Sequence, residues 1–404
     1  MSHKDFFAFE LSLFRNSYQD VPVMSPYSTG VCLSYLANLV QTEETRNNII
    51  KLLHSSPKKY PLYFETVLNM INLFEDKYRA TIMTANILFT KERQSSSFIA
   101  LSPANRQTML NFDRANQIVP EVVGLDNILD SASTIINRTI RKKTNGRIKN
   151  LMNPLMNGSH HVVAMSSILC YENELMTPFD HQSFHQFHGF KNSKHCNLRS
   201  YTIDFSSKDN NSQSSSTYSS SSSMIKPIKG EANKLLMLTM FHQDIKVSAG
   251  YKMKMIQLDF KNDDTSFFAI LPNKKGLKSF EKMVKSLNYK RFHHLLQKQK
   301  TKRIDLLIPQ INMETDSLNC YDQIQKMGFP DRSMTLESGE QLLHFRQKCI
   351  FSLNKKGTKV GNIDTNTEKK INLKNPKLEL NRPFIFFVIK KDPEVILLSG
   401  SFTG

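Results

Sequence analysis

The chain has 404 residues, of which 39% are hydrophobic and 22% charged, so it can bury a large core as one domain or several. No run approaches the roughly 18 apolar residues needed to cross a bilayer, which argues against a membrane-spanning protein. Lys and Arg outnumber Asp and Glu by 54 to 36, and this surplus of +18 favours acidic partners such as heparin-like polymers or nucleic acid.

Taken in chain order, residues 5–20 mix charges among Phe6, Phe7, Leu11, Leu13 and Phe14 and read as an amphipathic helix, not a secretory leader. That leads us to expect a cytoplasmic protein, with extracellular release only by another route. SPYSTGVCLSYLANLV (25–40) puts a Ser-Pro start before an uncharged, buried helix, and Thr45 opens a further helix to residue 53. ATIMTANILFT (80–90) alternates like a strand. A long basic helix is expected over 127–152, interrupted at Asn145-Gly146. HVVAMSSILCY (161–171) is a strand expected at the centre of a sheet.

The Ser-rich tract 206–224 cannot bury enough surface to order itself and is expected to be a flexible insertion. Strands resume at 253–260 and 265–272, followed by a basic helix (278–300). A strand at 304–311, a helix at 317–327 and a strand at 347–354 come next. Residues 355–380 are polar and read as a long exposed loop, a length that is usually functional. Two apolar strands, 383–390 and 395–402, close the chain as a hairpin. The fold class is therefore α+β, in a single domain over 1–404.

Cys32, Cys170, Cys196, Cys320 and Cys349 are scattered, odd in number and never in CxxC spacing, as expected of structural thiols in a reducing compartment. The Asn-x-Ser/Thr matches at Asn137, Asn157 and Asn210 matter only in a secreted protein. No phosphate-binding Gly loop, HExxH or GxSxG is present, so an enzyme is not expected. FDHQSFHQFH would align His181, His185 and His188 on one face of a helix, near His195 and Cys196. An extended segment suits it equally, and no metal site is assigned. Two basic groups stand out: Lys298, Lys300, Lys302 and Arg303, and Arg138, Arg141, Lys142 and Lys143. The first is the candidate for a heparin-like polyanion; neither interleaves the aromatics of a single-strand binder.

Several segments, in order, resemble the serpin family. SPYS and Thr45 resemble its SPxS…T helix pair. INRTIRKKTNGRI is similar to its IN…T.GkI segment through Ile136, Asn137, Thr144, Gly146 and Ile148. IDLLIPQINMETDSLNCYDQIQKMGF carries Pro309, Tyr321, Met327 and Gly328 in the family's places. LNKKGTKVG followed by NRPFIFFVIKKDPEVILLSGSF resembles its hinge, loop and closing strands.

That resemblance implies helices around three mixed β-sheets and an exposed reactive-centre loop at 355–380. It also implies suicide inhibition of a serine or cysteine protease by a monomer. Cleavage gives an acyl-enzyme, and the loop's first half then inserts as an extra strand. The alternative is a non-inhibitory serpin acting as a binding or carrier protein. Family spacing places the reactive bond at Ile371-Asn372, and a shift of one or two residues would select Lys370 or Lys369. The hinge comprises Gly357, Thr358, Val360, Asn362 and Asp364. It departs from the family in lacking a run of small residues and in having Lys355-Lys356 before the Gly. The opening region under the sheet corresponds to Ser25, Ser28, Asn137, Ser167 and Gln347. Leu175 falls near the place of a family Trp.

Overall fold

The computed structural model describes residues 3–77, 81–90, 121–124, 132–152, 163–189, 234–261, 264–315, 317–330, 334–336, 339–358 and 377–404. Helix α1 (His3–Ser17) leads into strand β1 (Val23–Met24) and helices α2 (Pro26–Leu39), α3 (Glu43–Leu52) and α4 (Tyr60–Lys77). Strands β2 (Ile82–Thr84), β3 (Ile87–Thr90) and β4 (Glu121–Gly124) precede α5 (Ala132–Lys143). Next are β5 (Val163–Tyr171), β6 (Asn173–Glu174), β7 (His181–Gln186), the long β8 (Lys234–Gly250), β9 (Met253–Asp259) and β10 (Thr265–Pro272). Helices α6 (Leu277–Ser286) and α7 (Tyr289–Gln297) lead to β11 (Lys300–Pro309), β12 (Ile311–Glu314), β13 (Leu318–Asn319) and α8 (Cys320–Lys326). The chain closes through β14 (Met334–Thr335), β15 (Gln341–Leu353), β16 (Gly357–Thr358), β17 (Lys377–Glu379), β18 (Phe384–Lys391) and β19 (Glu394–Phe402).

These strands form three sheets, in line with the α+β expectation. One runs β1-β19-β18-β10-β9-β8-β11-β17, with β7 on β8, and is parallel only where β17 meets β11. The second runs β12-β15-β5-β3-β4, with β13 and β14 on β15 and β2 on β5; its β15–β5 and β3–β4 pairs are parallel. A ribbon of β16 and β6 is the third. The two large sheets face each other through stacked rings: Phe351 of β15 lies 4.9 Å from Phe386 of β18 and 6.0 Å from Phe267 of β10.

Helix α1 is buried on two faces. Phe6, Phe9 and Leu13 enter the core between the sheets, while Phe7, Leu11 and Phe14 join α6 and α7 over the outer face of the first sheet. A Cβ on Gly30 of α2 would stand 2.8 Å from Phe6 Cζ and 3.0 Å from Phe9 Cε1, so the α1–α2 crossing requires the missing side chain.

Several expected boundaries are corrected. The helix expected over 127–152 ends at Lys143, because Asn145 (φ 48°) and Gly146 (φ 77°) turn left-handed and Gly146 N–H closes on Arg141 O at 2.8 Å. The basic helix of 278–300 is two helices, broken where the Asn288 side chain caps α7 by accepting from Arg291 N–H at 3.0 Å. The helix expected from 317 starts at Cys320, since Leu318–Asn319 pair with β15. The strand expected at 80–90 is interrupted between β2 and β3, and β8 was not anticipated. No described helix is long and apolar enough to cross a membrane.

Candidate functional site

Strands β5 and β15 lie directly side by side, from Leu342↔Val163 to Ile350↔Cys170, with Gln347 opposite Ser167. Beneath this seam, the Gln347 amide nitrogen donates to Ser25 O at 2.9 Å and lies 2.8 Å from both Thr29 Oγ1 and Ser167 Oγ. Ser25 caps α2 by accepting from Ser28 N–H, and the Ser28 hydroxyl donates to Ile168 O at 3.1 Å. Ser25, Ser28, Ser167 and Gln347 are all fully buried. Inside a dry core such groups hold only while each partner stays in place.

Asn137 is not part of this cluster. From α5 it accepts from the N–H groups of Leu151 and Met152 and donates to Met152 O, pinning the turn that follows the helix. Thr29 joins the cluster instead; a hydroxyl four residues after the cap Ser25 was the signal that could have found it.

The chain turns sharply where β15 ends. Asn354 Oδ1 accepts from Lys356 and Gly357 N–H, folding the chain back on itself. Leu175 N–H then donates to Lys356 O at 3.1 Å and Phe179 N–H to Lys355 O at 2.9 Å. Gly357 has φ 147°, and a Cβ there would stand 2.4 Å from Asn173 O, so β16 sits flush against β6 only because this residue is glycine. Thr358 is buried, and its hydroxyl exchanges hydrogen bonds with Asn173, accepting from N–H at 2.9 Å and donating to O at 3.2 Å. Leu175 is also buried, bridging to Phe260.

Residues 355–380 are therefore not one exposed loop: Gly357–Thr358 pair with β6, and Lys377–Glu379 form β17 against β11. Val360, Asn362, Asp364, Lys369, Lys370, Ile371 and Asn372, together with the tract 206–224, His195 and Cys196, lie outside the described residues. Cys32, Cys170, Cys320 and Cys349 are free and buried around the seam. Burial pushes the Cys170 thiol up to about 12, aided by Glu172.

The histidine segment is extended. His181 and His185 lie in β7, with Ser183 Oγ 2.8 Å from His185 Nε2, and His188 follows the strand. No group of three His, Cys, Asp or Glu among the described residues is placed to hold a metal. Of the basic candidates, Lys298 follows α7. In β11, Lys300 and Lys302 share a register face with Val247 and Ile245, which turn to the inter-sheet core, whereas Thr301 and Arg303 take the opposite face. The run is thus divided between two sides of a sheet.

A cleft of about 490 Å³ opens between α7 and the first sheet. Phe268, Phe292, Leu296 and Ile389 line its apolar part, and Lys246 and Lys391 its polar end. Both lysines bind Asp259, at 2.8 and 3.1 Å. Burial would raise the Asp259 carboxyl, but Lys246, Ser266, Gln257 and Lys391 together hold it well below the usual carboxylate range.

The profile of the family "Serpin (serine protease inhibitor)" matches residues 3–404. The chain belongs to the serpin family. A curated relative, thyroxine-binding globulin of Sus scrofa, is 26% identical over 155 residues, which is 36% of each protein. Among solved structures, native protease nexin-1 with heparin superposes with a TM-score of 0.71 at 13% identity, covering 100% of this chain and 98% of that one. Thyroxine-binding globulin complexed with thyroxine gives 0.70 at 15% identity, covering 100% and 98%. At such identities these structures share the serpin fold with this chain, and their ligands remain their own.

Proposed function

We propose that this serpin traps a serine or cysteine protease by cleavage within residues 359–376 and insertion of the part before the cut. The observation that carries the reading is the direct β5–β15 seam with a tether at each end of that segment. Thr358 is seated on β6 and Lys377 begins β17, so cutting between them frees a strand whose N-terminal end is already fastened at the top of the seam. A strand entering there gains two ladders of main-chain hydrogen bonds and buried side chains, the source of an irreversible step. The Gln347–Ser25–Ser167 cluster sits where β5 and β15 must part. Ile371-Asn372 is the proposed reactive bond, with Lys370 and Lys369 as alternatives. The test is incubation with a protease panel: an SDS-stable complex of summed mass supports trapping. A shortened serpin with every protease would remove it.

A carrier role is the second reading, favoured by the cleft under α7. Its aromatic walls suit a flat aromatic ligand, and two of the similar proteins are thyroxine-binding globulins. Equilibrium dialysis with thyroxine tests it, since the chain has no Trp to report binding. Binding lost in Phe292→Ala would support this reading, and no saturable binding would end it.

A further inference from the structure

We propose that residues 144–152, which follow α5, form a strap that holds the β5–β15 seam closed from outside, latched by Arg147 on Glu172. The proposal bears on the insertion reading above, since the strap must lift before a strand can enter, and it is tested without any protease. Alternation along the two strands separates a core face from an outer face. In β5, Met165, Leu169 and Tyr171 enter the inter-sheet core, while Ile168 and Cys170 turn outward. In β15, Cys349 and Phe351 enter that core, while Ile350 turns outward. Ile350 and Cys170 are direct partners on the last paired rung of the seam. Ile136 and Ile140 of α5, with Ile148, Leu151 and Met152 of the strap, are buried in one apolar cluster with this pair. The cover therefore spans both strands and belongs to neither alone.

The sequence builds the strap outward from α5. Thr144 ends the helix, its hydroxyl donating to Ile140 O at 2.9 Å and accepting from Ile148 N–H at 3.1 Å. Asn145 and Gly146 then reverse the chain, and Asn137 holds Leu151 and Met152 at the far end. The charged contact with the sheet comes from Arg147. Its Nη2 donates to Glu172 Oε2 at 2.9 Å, and its Nε lies 2.8 Å from Oε1. The Glu172 side chain is 15% exposed and that of Arg147 36%, so this two-pronged pair is partly shielded from water and salt. Glu172 directly follows β5 and precedes Asn173, on which Thr358 is seated, so the latch closes beside the start of the segment proposed to insert.

A strand entering the seam would part Ile350 and Cys170 from neighbouring strands, about 5 Å apart, to strands about 10 Å apart. A cover packed on both cannot stay seated on both. Cys170 reports the difference. It is buried in the cluster under the strap, whereas Cys32, Cys320 and Cys349 are buried on the core side. Lifting the strap exposes Cys170 alone, while general unfolding exposes all four thiols.

The test labels the full-length, uncut chain with iodoacetamide under native conditions and follows each of these cysteines by mass spectrometry of its peptide. Arg147→Met keeps an aliphatic stem and removes the latch. It should label Cys170 about five- to tenfold faster than the natural chain, with Cys32, Cys320 and Cys349 unchanged. Burial and then Glu172 raise the Cys170 thiol, and Arg147 lowers it. Losing Arg147 therefore slows the thiol's own chemistry, and an acceleration reports exposure. Lys149→Met, at an exposed position of the strap, should keep Cys170 labelling within about twofold of the natural rate. Should Arg147→Met not fold, Arg147→Lys keeps the charge without the fork and should still speed the labelling of Cys170. Because no protease is present, a failure of trapping counts against insertion and not against the latch. Unchanged labelling of Cys170 in the Arg147 variants, equal acceleration in Lys149→Met, or labelling of all four thiols together would each overturn the proposal.

Discussion

Ser25 and Gln347 are joined by a reciprocal pair of hydrogen bonds: Ser25 N–H donates to Gln347 Oε1 at 3.0 Å, and Gln347 Nε2 donates to Ser25 O at 2.9 Å. One residue opens a helix and the other lies mid-strand, so this pair fastens α2 to the seam from below. Parting β5 from β15 must strain or break it.

Gln347→Leu keeps most of the volume but strands Ser25 N–H in a dry core and takes a partner from the Ser167 hydroxyl, while Ser25 O keeps its bonds from Thr29 N–H and the Thr29 hydroxyl. Each buried group left without a partner costs about 1–3 kcal/mol, partly recovered by relaxation, so a net loss of about 1–3 kcal/mol is expected. Thermal scans at one fixed rate should show the native form melting several degrees lower. An unchanged midpoint would show that the cluster does not hold the seam.

Gly357→Ala places a Cβ against Asn173 O and Glu174 Cα in a backbone conformation that L-residues rarely adopt. We expect β16 to lift from β6, exposing Lys355 and Lys356 to trypsin. N-terminal sequencing of limited digests should find cleavage after these lysines accelerated severalfold. A digest identical to that of the natural chain would show that the ribbon absorbs the methyl group.

Glu10 predicts a pH dependence. It is fully buried, with Oε2 accepting from Ile396 N–H at 2.8 Å and Oε1 without a hydrogen-bond partner among the described residues. Burial pushes its carboxyl well above the ordinary range, the Ile396 N–H lowers it in part, and Glu394 raises it again. Below about pH 4 both folded and unfolded chains hold the proton, and Glu10 does not bias the equilibrium. As pH rises the unfolded chain ionises first, so stability falls until the folded carboxyl ionises too. Glu10→Gln keeps an acceptor for Ile396 and removes this term. Melting points from pH 5 to 8 should decline less in the variant, and parallel curves would refute the assignment.

Where apolar residues alternate or run unbroken, as in β10, β18 and β19, burial on one or both faces is written into the sequence and the strands were legible. Strand β8 was not, because it serves two neighbourhoods along one length. Residues near Leu238 are flanked on both sides by β7 and β11, while those from Lys246 to Gly250 pair with β9, and only Lys246 and Val247 of them with β11 as well, so its burial pattern changes midway. The break at Asn288 was hidden by lysines that fit a helix on either side. In the site, Ser25, Ser28, Ser167 and Gln347 were found through resemblance and do converge. The seating of Gly357 depends on a contact with Asn173, far away in sequence, which no local pattern reveals. The division of Lys300 and Lys302 from Arg303 follows from strand geometry that a list of charges does not contain.

Asp364 gives the sharpest test of the proposed mechanism. Side chains of a strand alternate, so Thr358, Val360, Asn362 and Asp364 would share one face on insertion between β5 and β15. Thr358 is already buried at the top of that path. If the shared face is the buried one, Asp364 must find a partner or take up a proton. Protonating a carboxyl of reference pKa near 3.9 at pH 7 costs about 4 kcal/mol. That slows insertion by up to roughly a thousandfold if the group is buried at the transition state. The acyl-enzyme would then hydrolyse before it is trapped, and turnover of the serpin as a substrate should exceed complex formation at neutral pH. Asp364→Thr should raise both the trapped fraction and the heat stability of the loop-cleaved form, as read on denaturing gels and in thermal scans. Lowering the pH toward 5 should move the natural chain in the same direction, because the proton becomes cheaper to supply. One-to-one trapping by the natural chain at pH 7, with a cleaved form far more heat-stable than the native one, would show that Asp364 is solvated or ion-paired in the inserted strand.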